Sequence, residues 1–280
     1  MRPVPFICVI AFALAAAAPA SAQIDLSGSW QAVFHEDQPE RVPGPALGDY
    51  LGLPVNENAR AFAESWDPSR LTVPEHQCRA HSAPYLYRGP LNLRIWEERD
   101  PMTEQVVAMH FDASNFQQRR IVWMDGRPHP SAYAGHTWAG FSTGTWDGET
   151  LVVYTTHIKQ MWHRRNGLPQ SDQTVLTERF MRHGDVLTYV TMTEDPVYLT
   201  EPLVKSTNMQ RNPRPLTPEQ LLYPCQSVVE IADRPRGAVP HFLPGKNPFL
   251  EEFSKKFSLP PAATRGGAET MYPEFRSGMK

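Results

Sequence analysis

Between Leu91 and Pro196 the chain repeats one pattern: short runs rich in Val, Thr, Tyr and Trp, separated by tight turn signals. "LNLRIWEERDPMTEQVVAMHF" reads as strand, turn at Asp100-Pro101, strand, and "QQRRIVWMDGRPHP" adds a strand and a turn at Asp125-Gly126. "HTWAGFSTGTWDGETLVVYTTHI" gives a strand to Trp146, a turn at Asp147-Gly148 and a strand from Leu151 to Ile158; "QTVLTERFMRHGDVLTYVTMTEDP" repeats the design around His183-Gly184. Turn-spaced strands of this composition predict a mainly β protein laid out as an antiparallel meander. A sheet this long hides its edges by closing into a barrel or, alternatively, by folding into a β-sandwich.

The flanks add smaller elements. "QIDLSGSWQAVF" is a short strand whose Gly28-Ser29-Trp30 resembles the G-x-W opening of lipocalin-like barrels, so a lipocalin-like barrel over residues 23–233 is the expected single domain. "NENARAFAESW" predicts a short N-terminal helix capped by Asn56, with Phe62 and Trp66 four apart on one face. Residues 234–280 form a Pro-rich extension. In it "NPFLEEFSKKF" predicts an amphipathic helix near 248–257, with Asn247 as N-cap, Pro248 at N1, and Phe249, Phe253 and Phe257 in one stripe. That stripe is expected to dock on the barrel; a membrane-surface or partner-binding helix is the other reading. Residues from Pro260 are expected to be poorly ordered.

The first 22 residues have one basic residue, an apolar run from Val4 to Ala18, and small residues ending Ala20-Ser21-Ala22. This is the layout of a cleavable secretory signal, so a periplasmic or secreted protein is expected, cut after Ala22. The apolar run is too short for a spanning helix, and nothing later is apolar for long enough to cross a bilayer. A formal net charge of −3 without a basic run gives no footing for nucleic acid. Cys78 and Cys225 remain after cleavage; in an oxidising compartment they are expected to form a disulfide, the alternative being two buried thiols.

Gly140-Phe141-Ser142-Thr143-Gly144 fits the G-x-S-x-G pattern of a hydrolase elbow, which needs a helix after the serine. An Asp-Gly turn and "LVVYTT" come next instead, so a β-hairpin is expected. A loop centred on Asp147-Gly148 sets Gly144 opposite Leu151, Ser142 opposite Val153, Gly140 opposite Thr155 and Trp138 opposite His157. Gly140, Ser142 and Gly144 then form a low strip beside Trp138, with room for a ligand. A loop centred on His183-Gly184 sets Glu178 opposite Tyr189 on an apolar face. There Glu178 is either a general acid or base, or the partner of an Arg such as Arg119, Arg120 or Arg179.

His129, His136 and His157, with Glu178 and Asp195, are the candidate acid–base residues. Trp138, Gly140, Ser142, Gly144 and Tyr189 are the candidate ligand-binding residues. Three histidines converging from strands could hold Zn or Cu, but their spacing matches no metal motif, and no cofactor is expected.

At "IVWMDGRPHP", "GFSTGTWDGETLVV" and "LTERFMRHGDVLTYVTMTEDPVYLTEPL" the chain resembles a large, mostly uncharacterised family of exported bacterial proteins. That family is marked by G-R-P-H-P, G-x-S-x-G-x-W-x-G-x-T-L-V-V and T-E-x-F blocks, and the resemblance runs from about Leu51 to Ile231. It implies a lipocalin-like β-barrel and no particular activity. Many members carry histidines at the positions of Phe141, Gln170 and Val175, while Asp125, His129, Ser142, Trp146, Glu178 and Asp195 match. A histidine-lined metal site, if the family has one, has lost its ligands in this chain. The expected function is an exported barrel binding a small apolar or aromatic molecule in its interior. The alternatives are a cofactor-free lyase or isomerase in the same cavity, and a structural or partner-binding exported protein.

Overall fold

Among the described residues eleven strands form, the longer ones where apolar residues alternate with polar ones. They are β1 (Gly28–Ala32), β2 (Asn92–Arg99), β3 (Val106–Ala113), β4 (Gln118–Trp123), β5 (Phe141–Asp147), β6 (Thr150–Thr156), β7 (Met161–Arg164), β8 (Leu168–Gln170), β9 (Val175–His183), β10 (Val186–Glu194) and β11 (Leu203–Arg211). The computed structural model describes residues 24–33, 35–36, 44–50, 52–67, 77–88, 92–114, 118–214, 217, 226 and 241–277. The expected signal segment lies outside the described residues, as does Cys225. Among the described residues no helix is long and apolar enough to cross a membrane.

Nine strands close into a barrel in the order β1-β11-β10-β9-β6-β5-β4-β3-β2, and β7-β8 make a separate two-stranded ribbon. Closure removes the sheet edges, and the sandwich alternative is set aside. An odd ring cannot alternate in direction all the way round, so at least one neighbouring pair must be parallel. It falls at β4–β5, where Val122 pairs with Ser142 and Trp123 with Thr143.

The purely antiparallel meander is therefore wrong at that point, and the reason is local. Asp125-Gly126 does not reverse the chain into a hairpin. The Asp125 carboxylate accepts from the Arg127 amide and guanidinium, and that guanidinium lies 3.5 Å over the Trp123 ring. Pro128 and Pro130 come next and have no N–H for a ladder. The chain leaves the sheet, crosses over through residues 124–140, and re-enters beside β4 running the same way, as a parallel pair requires.

Both hairpin registers also differ from expectation, by two residues. Asp147 faces Thr150, so Ser142 faces Thr155 and Gly144 faces Val153; His183 faces Val186, so Glu178 faces Thr191 and Tyr189 faces Phe180. Each loop is the two residues Gly148-Glu149 or Gly184-Asp185, and only its glycine has positive φ, at 59° and 60°. Glycine at the first loop position with a non-glycine second is a type II′ turn, whereas centring the loop on Asp-Gly assumed type I′. A two-residue slip leaves every side chain on its expected face.

Inside the barrel Trp30, Leu93, Ile95, Met109, Phe111, Val122, Leu151, Val153, Phe180, Leu187, Tyr189 and Met209 form one buried core. Trp30 donates its indole N–H to the Leu26 carbonyl at 3.0 Å. A 3-10 turn, Leu86–Arg88, pushes Tyr87 into the same core. Its ring meets Phe111, Phe180 and Tyr189 with centroids 6.2, 5.9 and 4.6 Å away. The interior is thus filled by the protein's own side chains.

The N-terminal helix α1 (Glu57–Ser65) is capped as expected, Asn56 accepting from the Ala59 amide at 3.0 Å. Its buried face is Ala59 and Ala63; Phe62 stays 41% exposed, and Trp66, just past the helix, packs edge-on against Trp162. The C-terminal helix is shorter than expected: α2 spans Glu252–Phe257. Asn247 does not cap it, because the helix begins five residues later; its Oδ1 accepts from the Phe249 amide at 3.1 Å, and its Nδ2 donates to the Glu64 and Trp66 carbonyls. The Phe stripe is not buried as a unit, since Phe257 is 54% exposed. Nor is the segment after Pro260 without structure. Helices α3 (Pro261–Arg265) and α4 (Pro273–Ser277) form there, the Tyr50 amide donates to the Thr264 carbonyl, and Leu53 bridges to Gly267.

Candidate functional site

Apart from Trp138 at the barrel end, the candidate residues separate into three places. Glu178, Ser142 and Tyr189 lie inside the barrel; His129, His136 and His157 lie on the outer side of β5–β6; Asp195 lies just beyond β10.

Inside, alternation in "QRRIVW" turns Gln118, Arg120 and Val122 inward. Arg120 is 1% exposed and Glu178 is fully buried. All five guanidinium N–H groups are used. Nε donates to Ser142 Oγ at 3.1 Å, Nη1 to Tyr87 Oη at 3.3 Å and Glu178 Oε1 at 2.7 Å, and Nη2 to Thr155 Oγ1 at 2.7 Å and to Glu178 Oε2. Tyr189 donates its hydroxyl to Glu178 Oε1 at 2.7 Å. Burial works against the Arg120 charge, but the adjacent carboxylate outweighs it and raises the guanidinium pKa. Burial raises the Tyr87 and Tyr189 phenols, and neighbouring Glu178 adds to the rise. This is a bidentate charge pair with its remaining valences filled by hydroxyls.

Ser142 shows what that network excludes. It is 1% exposed, accepts from Arg120, and lies 2.9 Å from Thr155 Oγ1. Thr155 in turn points its hydrogen at Glu178 Oε2, 3.4 Å away, so Ser142 gives its proton to Thr155. No histidine receives it, and the strand leads into a hairpin rather than a helix. The expected low strip is also closed. A Cβ on Gly144 would meet Met124 Sδ at 2.6 Å and Val122 Cγ1 at 2.8 Å; one on Gly140, at φ +71°, would meet the Thr156 carbonyl at 2.6 Å. Neighbouring atoms thus occupy the space beside both Gly140 and Gly144.

The outer histidines form a clamp. His157 Nε2 lies 2.8 Å from the Ser131 carbonyl, which can only accept, so that nitrogen carries the hydrogen. His157 Nδ1 then accepts from Thr156 Oγ1 at 2.7 Å, Thr156 accepts from His129 Nδ1 at 2.7 Å, and His129 Nε2 accepts from Thr143 Oγ1 at 3.0 Å. Phe141 and Tyr154 hold the His129 ring, with centroids 5.0 and 5.1 Å away. Burial, with His157 adding, lowers the His129 pKa. His136 donates to the Ile158 carbonyl at 3.1 Å, and its ring centroid is 5.2 Å from that of His157. These hydrogen bonds run in one direction and fasten the crossover to the barrel wall.

Asp195 gathers six donors: His163 Nε2, the Ser171 amide and hydroxyl, Thr174 Oγ1, and the Val197 and Tyr198 amides, all between 2.7 and 3.2 Å. Burial would raise its pKa, but these donors, His163 and Ser171 foremost, hold the carboxyl well below its usual range. Burial lowers the His163 pKa, against the opposing pull of Asp195. The Ser171 hydroxyl faces the carboxylate rather than the imidazole, so the three do not form a nucleophilic triad. Among the described residues no three His, Cys, Asp or Glu side chains gather where they could hold a metal.

One expected residue does border open space. At the barrel end where β4 begins, Ala80, Leu86, Gln118, Arg119, Arg120, Thr137, Trp138 and Ala139 line a largely apolar pocket of about 300 Å³. The Ala83 amide donates to the Trp138 carbonyl at 3.1 Å and ties two of its walls together. Gln118, 7% exposed, gives its amide hydrogen to the His81 carbonyl, which fixes the orientation of the side chain. Its Oε1 is buried and has no hydrogen-bond partner. Sequence reasoning named Trp138 but missed Gln118, and it named Arg120 only as one of several partners for Glu178. The available signal was parity, since Val122 facing inward sends both residues inward too.

Cys225, the expected partner of Cys78, is outside the described residues. No protein-family model matches the chain, and no curated protein matches it. Among solved structures, secretory abundant heat soluble protein 4 from Ramazzottius varieornatus is similar at 14% identity. The match covers 66% of this chain and 94% of that one with a TM-score of 0.31, too remote to carry function across.

Proposed function

We propose that this chain is an exported binding module that takes a small, largely apolar molecule at the mouth of its barrel, in the pocket under Trp138. The observation that carries this reading is Gln118, a residue that lines this apolar pocket and whose buried Oε1 has no hydrogen-bond partner. A native fold seldom leaves such an atom unsatisfied unless something else completes it. The filled interior moves the expected ligand from the barrel's centre to its mouth. Export through the N-terminal segment and a Cys78–Cys225 bridge belong to the same proposal. Acid–base catalysis is the weaker reading, because Glu178 is locked to Arg120 inside while the histidines sit outside.

The test is mass spectrometry of small molecules that co-purify with the protein from its native host, with metal analysis of the same sample. A stoichiometric organic molecule lost in a Trp138→Ala variant supports the reading. A stoichiometric metal, or an organic molecule retained by that variant, sinks it.

A further inference from the structure

Resting on that pocket, we infer its ligand class: a flat aromatic acid of one or two rings that also carries an N–H or O–H donor. Three features of the lining specify it. A volume of about 300 Å³ lies at the small end of ligand pockets, which admits one or two rings and little more. Ala80, Leu86, Ala139 and the Trp138 ring supply walls that reward a planar apolar body. Gln118 Oε1 offers an acceptor that only a donor can complete, because its own amide nitrogen is already committed to His81.

The acid is specified by the charges. Arg119 borders the pocket with its side chain 78% exposed, and its ion-pair partner Asp112 stands 4.0 Å from Nε, beyond hydrogen-bond reach. Lys159 Nζ lies 5.0 Å from the centre of the Trp138 ring, a second cation beside the same wall. Arg120 also borders the pocket, but its five N–H groups are spent on Ser142, Tyr87, Thr155 and Glu178, so it has none to offer. A carboxylate at the rim would face Arg119, whose planar guanidinium suits two-point contact with it.

The experiment is isothermal titration of the full-length processed protein with indole-3-acetate, indole-3-acetamide, tryptamine and 1-naphthaleneacetate. Indole-3-acetate is expected to bind at least about tenfold tighter than its neutral amide and its cationic analogue, and tighter than the naphthalene acid, which lacks the ring N–H. Arg119→Gln, at an exposed position, is expected to erase the preference for acid over amide while leaving the melting temperature unchanged. Equal binding of acid, amide and amine, lost together in Trp138→Ala, would overturn the ligand class and leave the pocket standing. Failure of all four probes to bind, or binding indifferent to Trp138→Ala, would overturn both.

Discussion

Replacing Glu178 with Gln leaves the Arg120 guanidinium charged, 1% exposed and without its counter-ion. The new amide also points N–H groups toward Arg120 Nη2 and Thr155, where the carboxylate had accepted. Breaking a buried pair from one side costs about 3–5 kcal/mol, against about 0–1 for an exposed pair. Arg120→Met is expected to cost a similar amount, since it strands the carboxylate with Tyr189 and Thr155 as donors. In the double variant the introduced glutamine side chain can still accept from Tyr189 and donate to Thr155, and the Tyr87 hydroxyl is the main group left short. Its expected cost is about 1–3 kcal/mol, the usual penalty for a buried polar group without a partner. Urea unfolding followed by circular dichroism would read these values from the midpoint at constant m. The double variant should be more stable than either single one. Singles that cost less than about 1 kcal/mol, or a double that equals their sum, would show that water reaches the pair and that the interior is not packed shut.

Acid should weaken the fold in two windows. His129 and His163 are lowered from 6.5, so the unfolded chain binds more protons and stability falls as pH drops below about 6.5. Asp195 is lowered from 3.8, so its contribution is complete above that value and is lost only as pH falls further. Urea midpoints measured from pH 8 to pH 3 check both, and a flat profile between 7 and 5 counts against the histidine clamp. Gly144→Ala should destabilise by about 1–3 kcal/mol through overpacking against Met124 and Val122; a neutral result would mean the strip is open after all. Thiol counting with a maleimide in denaturant should find no free cysteine in the processed protein until reductant is added. Reduction should then lower the melting temperature, the bridge contributing on the order of 4–5 kcal/mol in the chain-entropy model.

What was legible in the sequence was whatever depends on period two. Ser142, Gly144, Glu178 and Tyr189 all face inward as expected, because the two-residue register error conserves faces. The turn type was less legible, since Asp147-Gly148-Glu149 suits either an Asp-Gly or a Gly-Glu loop and only backbone φ separates them. The parallel pair was hidden for another reason: local pattern identifies strands, but strand order is set by which edges meet. The tail shows the same limit, since α3 is held by Tyr50, over two hundred positions earlier in the chain. The inward-facing candidates were read on one assumption, that a polar side chain facing inward faces a ligand. Here Arg120, Ser142, Thr155 and Glu178 face one another, and a buried acceptor without a partner on the pocket lining belongs to Gln118, which no motif marks.

The odd strand count has a kinetic consequence. β5, β6, β9, β10 and β11 are antiparallel neighbours, and β2, β3 and β4 form a second antiparallel run, so each can assemble with modest chain closure. The β4–β5 seam joins these two runs through the 124–140 crossover rather than a hairpin turn. When it does form, only two residue pairs join it along the backbone. Arg120 reaches from β4 across it to Ser142 on β5, Thr155 on β6 and Glu178 on β9. The seam is therefore riveted by one side chain more than stitched by amides. With so few amides paired across it, it should be the first part of the wall to admit deuterium.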